Sequence, residues 1–86
     1  MTGHVGRRGW IVLDSVESGD GLYCVDLFED PGGGFGFEHF RLEPEDGAWA
    51  PLGYAATRFD GPEEAIAAAE RTVPWLRETG RSLQVE

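Results

Sequence analysis

The stretch LYCVDLFEDPGGGFGFEHFRLE, residues 22–43, largely determines the fold that the sequence predicts. On both sides of PGGG at 31–34, apolar or aromatic residues alternate with polar ones, which is typical of half-buried β-strands. Glycine adopts positive φ at no steric cost, so PGGG suits a tight turn. The sequence therefore predicts an antiparallel hairpin whose strands are residues 22–30 and 35–43.

Further strands are predicted on both sides of this hairpin. GWIVLDSVE at 9–17 is rich in β-branched and aromatic residues, and the turn residues SGDG follow at 18–21. After the hairpin come the turn PEDG at 44–47 and the segment AWAPLG at 48–53. We expect this segment to be a fourth strand at a sheet edge, because Pro51 has no N–H to donate. The short connections favour an antiparallel meander of three or four strands.

The sequence changes character at FDGPEEAIAAAERTVPWLRETG, residues 59–80, which predicts a helix over 61–79. Pro62 suits the first position of a helix, and the two glutamates after it suit the positive end of the helix dipole. Pro74 lacks a backbone N–H, so we expect a kink or a weak last turn there, and Gly80 is typical of a helix end. The apolar residues at helical spacing are Ile66, Ala69, Val73 and Leu76.

These elements predict a single α+β domain over residues 1–86, with an antiparallel three- to four-stranded meander sheet and one C-terminal α-helix packed on one face. Residues 1–8 are expected to be loosely ordered, 9–59 to form the meander, and 81–86 to form a tail or a short extra strand. One helix covers one face only, so the other face is expected to be open. The predicted core consists of Ile11, Leu13, Tyr23, Val25, Leu27, Phe40, Leu42, Ile66, Ala69, Val73 and Leu76.

Two registers are possible for the hairpin, and they place different side chains on the open face. A loop of two or four residues puts Phe28 opposite Phe37, whereas a loop of three residues puts Asp26 opposite Glu38. Like charges on opposed residues are unfavourable, so the first register is preferred. In the alternative, Phe35 and Phe37 face the helix and Glu38 faces water, or residues 48–59 fold over the two rings. The preferred register predicts an exposed interaction surface made of Phe28, Phe35, Phe37, His39, Asp26 and Arg41.

The charge of the chain restricts its partners. The formal net charge is −9, from 16 acidic and 7 basic residues, and every basic residue is Arg. This composition argues against nucleic acid, since phosphate binding needs clustered positive charge, and it favours basic partners. The sequence has no apolar run that would suit a signal peptide or a membrane span, so we predict a cytoplasmic protein. Abundant Ala, Gly, Arg and Pro without Lys or Asn is typical of GC-rich codon usage and indicates a bacterial source.

No catalytic, cofactor or metal site is predicted. Cys24, Asp26 and His39 share one sheet face in the preferred register and could act as nucleophile, orienting acid and base. However, nothing in the sequence suggests an oxyanion hole, and Cys24 more simply serves as a small half-buried apolar residue. A single cysteine cannot form a thiolate zinc site within one chain. We therefore predict a protein that is not an enzyme.

One strand resembles the RNP1 strand of RNA-recognition motifs. The string GGFGFEHF at 33–40 places glycines and aromatic rings as RNP1 does, with Phe35 and Phe37 at the two base-stacking positions. It departs from the pattern at Gly33, where a basic residue is usual, and at Glu38, where an aliphatic residue is usual. The resemblance implies RNA binding through this strand, an alternative that the net charge of −9 opposes.

The layout of the chain also resembles the HicB-type antitoxin domain. The similarity rests on Tyr23, on the glycines at 32–34 and on the helix start at 61–65. It implies a three-strand-plus-helix fold that binds a basic toxin. The chain is similar as well to small bacterial βββα proteins of unassigned activity. Our leading hypothesis is a non-enzymatic module that binds an unknown protein partner, or a second copy of itself, through the open aromatic face.

Overall fold

Four strands and two helices follow one another in the computed structural model, which describes residues 9–54 and 59–84. The strands form one antiparallel sheet in chain order, and the helix packs on one of its faces, so the predicted α+β fold is confirmed. The predictions for residues 1–8, 55–58 and 85–86 lie outside the described residues. The elements are β1 (Ile11–Glu17), β2 (Tyr23–Glu29), β3 (Phe35–Leu42), β4 (Trp49–Tyr54), α1 (Pro62–Thr72) and a 3₁₀ helix (Pro74–Glu78).

Helix α1 begins where the sequence predicts and ends earlier. Pro62 occupies the start of the helix, after the extended residue Gly61. At the other end, Val73 is extended, with φ −112° and ψ 97°, because proline disfavours helical geometry in the residue before it. The chain then turns into the 3₁₀ helix that Pro74 begins. The predicted effect of Pro74 is confirmed, but the predicted helix over 61–79 is two helices.

The register of the β2–β3 hairpin differs by one residue from the preferred prediction. Asp26 lies opposite Glu38, and Phe28 lies opposite Gly36. Asp30 N–H donates to Gly34 O at 2.9 Å and Gly33 N–H donates to Asp30 O at 2.8 Å, which leaves a loop of three residues. Gly33 and Gly34 both have positive φ, near 98°. The turn therefore sets the register, and its geometry outweighs the cost of opposing two carboxylates.

This register moves alternate residues of β3 to the face opposite from the predicted one. The inner face, which α1 covers, holds Phe37 from β3 together with Val25 and Leu27 from β2. Phe40 and Leu42, predicted to be core residues, are half-buried on the outer face. Three alanines of α1 are buried, so the helix approaches the sheet closely. The buried core consists of Val16, Val25, Leu27, Phe37, Ala65, Ala68, Ala69, Val73, Leu76 and Leu83.

The prediction for β1 is corrected by a bulge. The pairing of β1 with β2 shifts between Val12 and Asp14, so Leu13 is an extra residue in the strand. As a result Val12 lies on the outer face opposite Phe28, whereas Asp14 and Val16 lie on the inner face opposite Leu27 and Val25. Leu13 packs only partly against the core and Ile11 is exposed, so the predicted core position of Ile11 is wrong.

The outer face is not open along its whole length. Trp10 stacks on Phe28, with ring centroids 3.9 Å apart and planes 1° from parallel. The Phe28 ring in turn lies over Gly36, where a Cβ atom would be 2.7 Å from Phe28 Cζ. Trp10 is 5% exposed and Phe28 is 1% exposed. This stack seals the outer face near the 31–33 loop, which contradicts the predicted open position of Phe28.

The segment after the 3₁₀ helix is anchored against β1. Leu83 is buried in the core, and Gln84 N–H donates to Asp14 Oδ2 at 2.9 Å. Arg81 Nη2 lies 3.2 Å from Asp14 Oδ1, and Arg81 Nη1 donates to Ser15 O at 3.0 Å. Residues 81–84 are not a strand, but they give the buried Asp14 carboxylate its partners. Residues 81–84 are therefore a packed tail rather than an extra strand.

Candidate functional site

The six predicted surface residues do not lie together on one open face. Asp26 and Phe28 are on the outer face, whereas the other four are on the inner face, toward α1. Phe37 is 2% exposed within the core, and Phe35 packs against it. The geometry of the predicted aromatic surface is therefore wrong, and the one-residue change of register is the reason. The four inner-face residues are Phe35, Phe37, His39 and Arg41.

The RNP1-like strand is likewise turned inward. An RNP1 strand stacks bases on exposed rings, but Phe37 lies beneath the helix and Phe35 is half-buried against the core. A base could reach the Phe37 ring only if α1 left the sheet. The aromatic residues of GGFGFEHF thus serve packing in this fold.

A groove lined by two half-buried aromatic rings lies at one end of the sheet. It has a volume of about 340 Å³ and lies between the β1–β2 turn and the 3₁₀ helix. Tyr23 contributes from β2 and Trp75 from the 3₁₀ helix, and both rings are half-buried. We call this cavity the aromatic groove; its lining residues are Ser18, Gly19, Asp20, Tyr23, Trp75, Glu78 and Thr79.

The β1–β2 turn fixes one rim of the aromatic groove. Asp20 Oδ1 accepts hydrogen bonds from Ser18 Oγ at 2.6 Å and from Leu22 N–H at 3.1 Å. Ser18 Oγ also accepts from Tyr23 N–H at 3.0 Å, and Gly21 has a φ of 74° that suits glycine. The pKa of Asp20 is lowered, mainly by the hydrogen bond from Ser18. Asp20 is thus an exposed carboxylate, held in place and ionised at neutral pH.

The opposite rim is formed by the 3₁₀ helix and the residue after it. Thr79 Oγ1 lies 3.1 Å from Leu76 O and 2.8 Å from Arg81 O, and it accepts a hydrogen bond from Arg81 N–H at 3.1 Å. These bonds tie the end of the 3₁₀ helix to the anchored segment 81–84. Glu78 projects a second exposed carboxylate on this rim.

Three rings pack together at the base of the aromatic groove. The centroids of Tyr23 and His39 are 5.8 Å apart, those of His39 and Trp75 are 5.9 Å apart, and those of Tyr23 and Trp75 are 6.5 Å apart. Trp75 Nε1–H donates to His39 Nε2 at 3.2 Å, so the imidazole is neutral and its proton is on Nδ1. Burial lowers the pKa of His39, which favours this neutral form.

The outer face carries an apolar patch at the same end of the sheet. Leu22 is 48% exposed and Trp49 is 39% exposed. Leu42 lies between them, because it is opposite Leu22 on one side and opposite Trp49 on the other. Phe40 lies in the next row, opposite Pro51. We call this surface the outer patch; it consists of Leu22, Phe40, Leu42, Trp49 and Pro51.

The aromatic groove and the outer patch adjoin each other. A second cavity of about 240 Å³ is lined by Leu22, Tyr23, Arg41, Leu42 and Pro44. Tyr23 therefore lines both cavities, while Leu22 and Leu42 belong to the outer patch. The aromatic groove and the outer patch therefore meet at Tyr23 and Leu22, at the end of the sheet.

Carboxylates outnumber basic groups around this end of the sheet. They lie at the end of β1, in or beside the two turns and in the 3₁₀ helix, and most are exposed. A ligand that approaches this end meets a negative potential, which attracts positive charge. In the part of the chain that the structure describes, the acidic residues at this end are Glu17, Asp20, Glu43, Glu45, Asp46 and Glu78, and the basic residues are Arg41 and Arg77, with Arg81 beside the rim but paired with Asp14.

The possible nucleophile, base and orienting acid are not assembled. Cys24 and Asp26 are on the outer face, whereas His39 is on the inner face because it pairs with Val25. Cys24 Sγ lies 3.5 Å from Asp26 Oδ1, which also accepts from Ser15 Oγ at 2.6 Å. Burial, with the nearby Asp26 carboxylate, raises the pKa of Cys24 to about 12. At neutral pH this residue is a protonated thiol and a weak nucleophile.

Sequence reasoning missed both rings of the aromatic groove. Tyr23 was predicted to be core, and Trp75 was given no role. The pattern Ser-Gly-Asp-Gly at 18–21 and the Pro-Trp pair at 74–75 were the available signals. The first predicts a side-chain-capped turn and the second a sharp change of direction, but neither brings the two together without the tertiary fold.

Neither a metal-binding cluster in the described residues nor a match to a known protein indicates the function. Among residues 9–54 and 59–84, no three His, Cys, Asp or Glu side chains are grouped so that they could hold a metal ion. No helix within those two ranges has the length and apolar character needed to cross a membrane. Comparisons of the chain with known protein families, curated proteins and solved structures find no match. The resemblances to HicB-type antitoxins and to small βββα proteins stay predictions.

Proposed function

We propose that this protein is a non-enzymatic, cytoplasmic protein-interaction module that binds a basic partner at the end of its sheet. The observation that supports this most is the junction of the aromatic groove with the outer patch at an acidic end of the sheet. Contact surfaces of proteins combine an apolar, aromatic centre with a polar rim. The same combination of features supports the proposal here, and of the six residues that the sequence predicts for an interaction surface, Arg41 lines the second cavity.

A protein partner fits the outer patch better than a small molecule does. The patch is a shallow sheet surface with exposed leucine and tryptophan side chains, and such surfaces in small domains usually mark contacts with other proteins. Small-molecule sites usually have volumes of about 300–1,000 Å³, and the cavity that borders the outer patch has only about 240 Å³. The protonated Cys24 thiol offers no reactive group beside the patch.

A basic partner is favoured over a second copy of this chain. Each copy has a formal charge of −9, and the carboxylates around the outer patch would face one another in a symmetric dimer. Like charges brought together at an interface cost binding free energy, whereas a basic surface would be attracted over a distance. The same charge disfavours nucleic acid.

The proposal is tested with a captured and identified partner. Tagged protein is used to isolate binding proteins from the source cells, and each candidate is purified and titrated by calorimetry. We expect a basic protein whose affinity falls as salt rises and falls at least tenfold for Leu22→Ser combined with Trp49→Ser. The control is Ile11→Ser, because Ile11 is exposed and apolar but pairs with Glu29 at the other end of the sheet. Equal loss for both variants, an acidic partner, or a homodimer in sedimentation would contradict the proposal.

An antitoxin-like role is a second candidate, and the acidic end of the sheet favours it. A HicB-type antitoxin binds a basic toxin, and the excess of carboxylates over arginines among the described residues at this end would suit such a partner. The candidate predicts a gene for a small basic protein beside the gene for this chain. Expression of that neighbour alone should arrest growth, and co-expression of this chain should restore it. A neighbouring region without such a gene would exclude this role.

A further inference from the structure

We infer that the aromatic groove binds one arginine side chain of the basic partner. This inference rests on the proposed function and adds the chemistry by which the partner would be recognised. The groove shares no residue with the outer patch, and it shares only Tyr23 with the second cavity. Its volume of about 340 Å³ is at the lower end of the range for ligand sites, which suits a single long side chain.

The side chains of the aromatic groove favour a cation. Tyr23 and Trp75 are the aromatic residues that attract positive charge through their ring faces. Asp20 on one rim and Glu78 on the other add formal negative charge, and the turn keeps Asp20 ionised through its bond from Ser18. None of the described residues that line the groove is basic, so the groove offers negative charge that no lining residue offsets.

The Trp75 indole is fixed in a way that suits this role. Its single donor, Nε1–H, is directed to His39 Nε2 at 3.2 Å and is therefore not available to a ligand. What the indole offers to the groove is apolar and π surface. An anion would find no free donor on this indole, whereas a guanidinium can stack on the ring and donate to carboxylates at the same time.

Arginine is favoured over lysine by the arrangement of two carboxylates on opposite rims. A guanidinium group is planar and presents donors along several edges, so it can contact both rims while its face lies on a ring. An ammonium group is compact and strongly hydrated, so it loses more water when it enters an aromatic site. The expected preference is thus arginine over lysine, and both over a neutral side chain of the same shape.

The experiment uses N-acetyl-arginine amide as the probe and N-acetyl-citrulline amide as its neutral counterpart. The ¹H–¹⁵N spectrum of the full chain is followed during titration, with the indole signal of Trp75 as the reporter. We expect saturable binding in the millimolar range for the arginine probe, weaker binding for the lysine analogue, and none for the citrulline probe. No saturable shift, or an equal shift with citrulline, would overturn the inference.

Variants show whether the groove itself is the site. Asp20→Asn and Glu78→Gln change exposed side chains, and each should weaken the arginine probe at least threefold. Glu63→Gln is the control, because Glu63 is an exposed glutamate at the start of α1 and does not line the groove. If Asp20→Asn disturbs the turn, Glu78→Gln still decides the result. Equal weakening by the control would mean that net charge alone is responsible, and it would overturn the inference.

The same variants separate this inference from the proposed function. If the identified partner loses affinity with the outer-patch variants but not with Asp20→Asn or Glu78→Gln, the arginine inference is wrong and the proposed function stands. If the arginine probe binds the groove but no basic protein binds the chain, the proposed function is wrong. If the outer-patch variants and the groove variants all lose affinity for the partner, the result supports the proposed function and the arginine inference.

Discussion

Trp75 Nε1–H donates a hydrogen bond to His39 Nε2 at 3.2 Å, and this bond joins the 3₁₀ helix to β3 across 36 positions of sequence. It requires a neutral imidazole, because a protonated His39 would present a second N–H to the indole N–H. The position of one wall of the aromatic groove therefore depends on the protonation state of a histidine that lies behind it.

The stability of the protein should fall as the pH falls through the range of His39. Burial lowers the pKa of His39 below its ordinary value of 6.5. Below about pH 6.5 the unfolded chain binds a proton that the folded chain does not yet bind, so the free energy of unfolding decreases until the folded pKa is passed. We expect urea denaturation to show a larger loss between about pH 7.5 and about pH 5.5 for the wild type than for His39→Gln. Equal losses of unfolding free energy in the two proteins would show that His39 does not contribute to the pH dependence.

The hairpin register can be tested by comparing two phenylalanines that it places on opposite faces. Phe37 is 2% exposed in the core, so Phe37→Ala should lower the free energy of unfolding by about 3–5 kcal/mol. Phe40 is half-buried on the outer face, so Phe40→Ala should cost only about 1–2 kcal/mol. Urea denaturation of both variants checks this. The reverse order of the two costs would favour the register in which Phe40 faces α1.

The elements of the fold could be predicted from sequence because each depends on local patterns. Alternation over 22–43 specifies two strands, and Pro62 and Pro74 specify where a helix begins and where it is broken. The sheet order follows from the short connections. These signals do not depend on any distant contact, which is why the α+β class and the interrupted helix were both predictable.

The face of the sheet on which each side chain lies could not be predicted, because it depends on the length of one loop and on one bulge. The two consecutive positive-φ glycines at 33–34 set a three-residue loop, and the bulge at Leu13 changes the phase of β1. A shift of one residue transfers every side chain of a strand to the other face. The aromatic groove depends on tertiary contacts as well, since Tyr23 and Trp75 meet only when the 3₁₀ helix packs beside β2.

A methyl group on Gly36 should disturb the Trp10–Phe28 stack. A Cβ atom at this position would lie 2.7 Å from Phe28 Cζ, and the Phe28 ring cannot retreat because Trp10 stacks on it at 3.9 Å. We expect Gly36→Ala to lower the free energy of unfolding by about 1–3 kcal/mol. The control is Gly53→Ala, because nothing lies within 4 Å of a Cβ there. Similar stability of the two variants in urea denaturation would mean that the ring has room to move.

The anchored segment 81–84 should contribute to stability through Leu83. This side chain is 3% exposed in the core, so Leu83→Ala should lower the free energy of unfolding by about 2–4 kcal/mol. Gln84→Ala is the matched control, because Gln84 bonds Asp14 through its backbone N–H and keeps that bond without its side chain. Thermal and urea denaturation compare the two. A negligible effect of Leu83→Ala would indicate that the segment does not stay packed against β1 in solution.

Cys24 should react with thiol reagents far more slowly than free cysteine. Burial and the nearby Asp26 carboxylate raise its pKa to about 12, so almost none of the reactive thiolate is present near neutral pH. Since thiolate is the attacking species, we expect a rate on the order of 10³-fold or more below that of free cysteine with an aromatic disulfide reagent. Asp26→Asn removes the neighbouring negative charge and should raise the rate, and unfolding in urea should restore ordinary reactivity. A folded protein that reacts as fast as free cysteine would contradict both the burial of Cys24 and its exclusion as a nucleophile, because rapid reaction requires an exposed or activated thiolate.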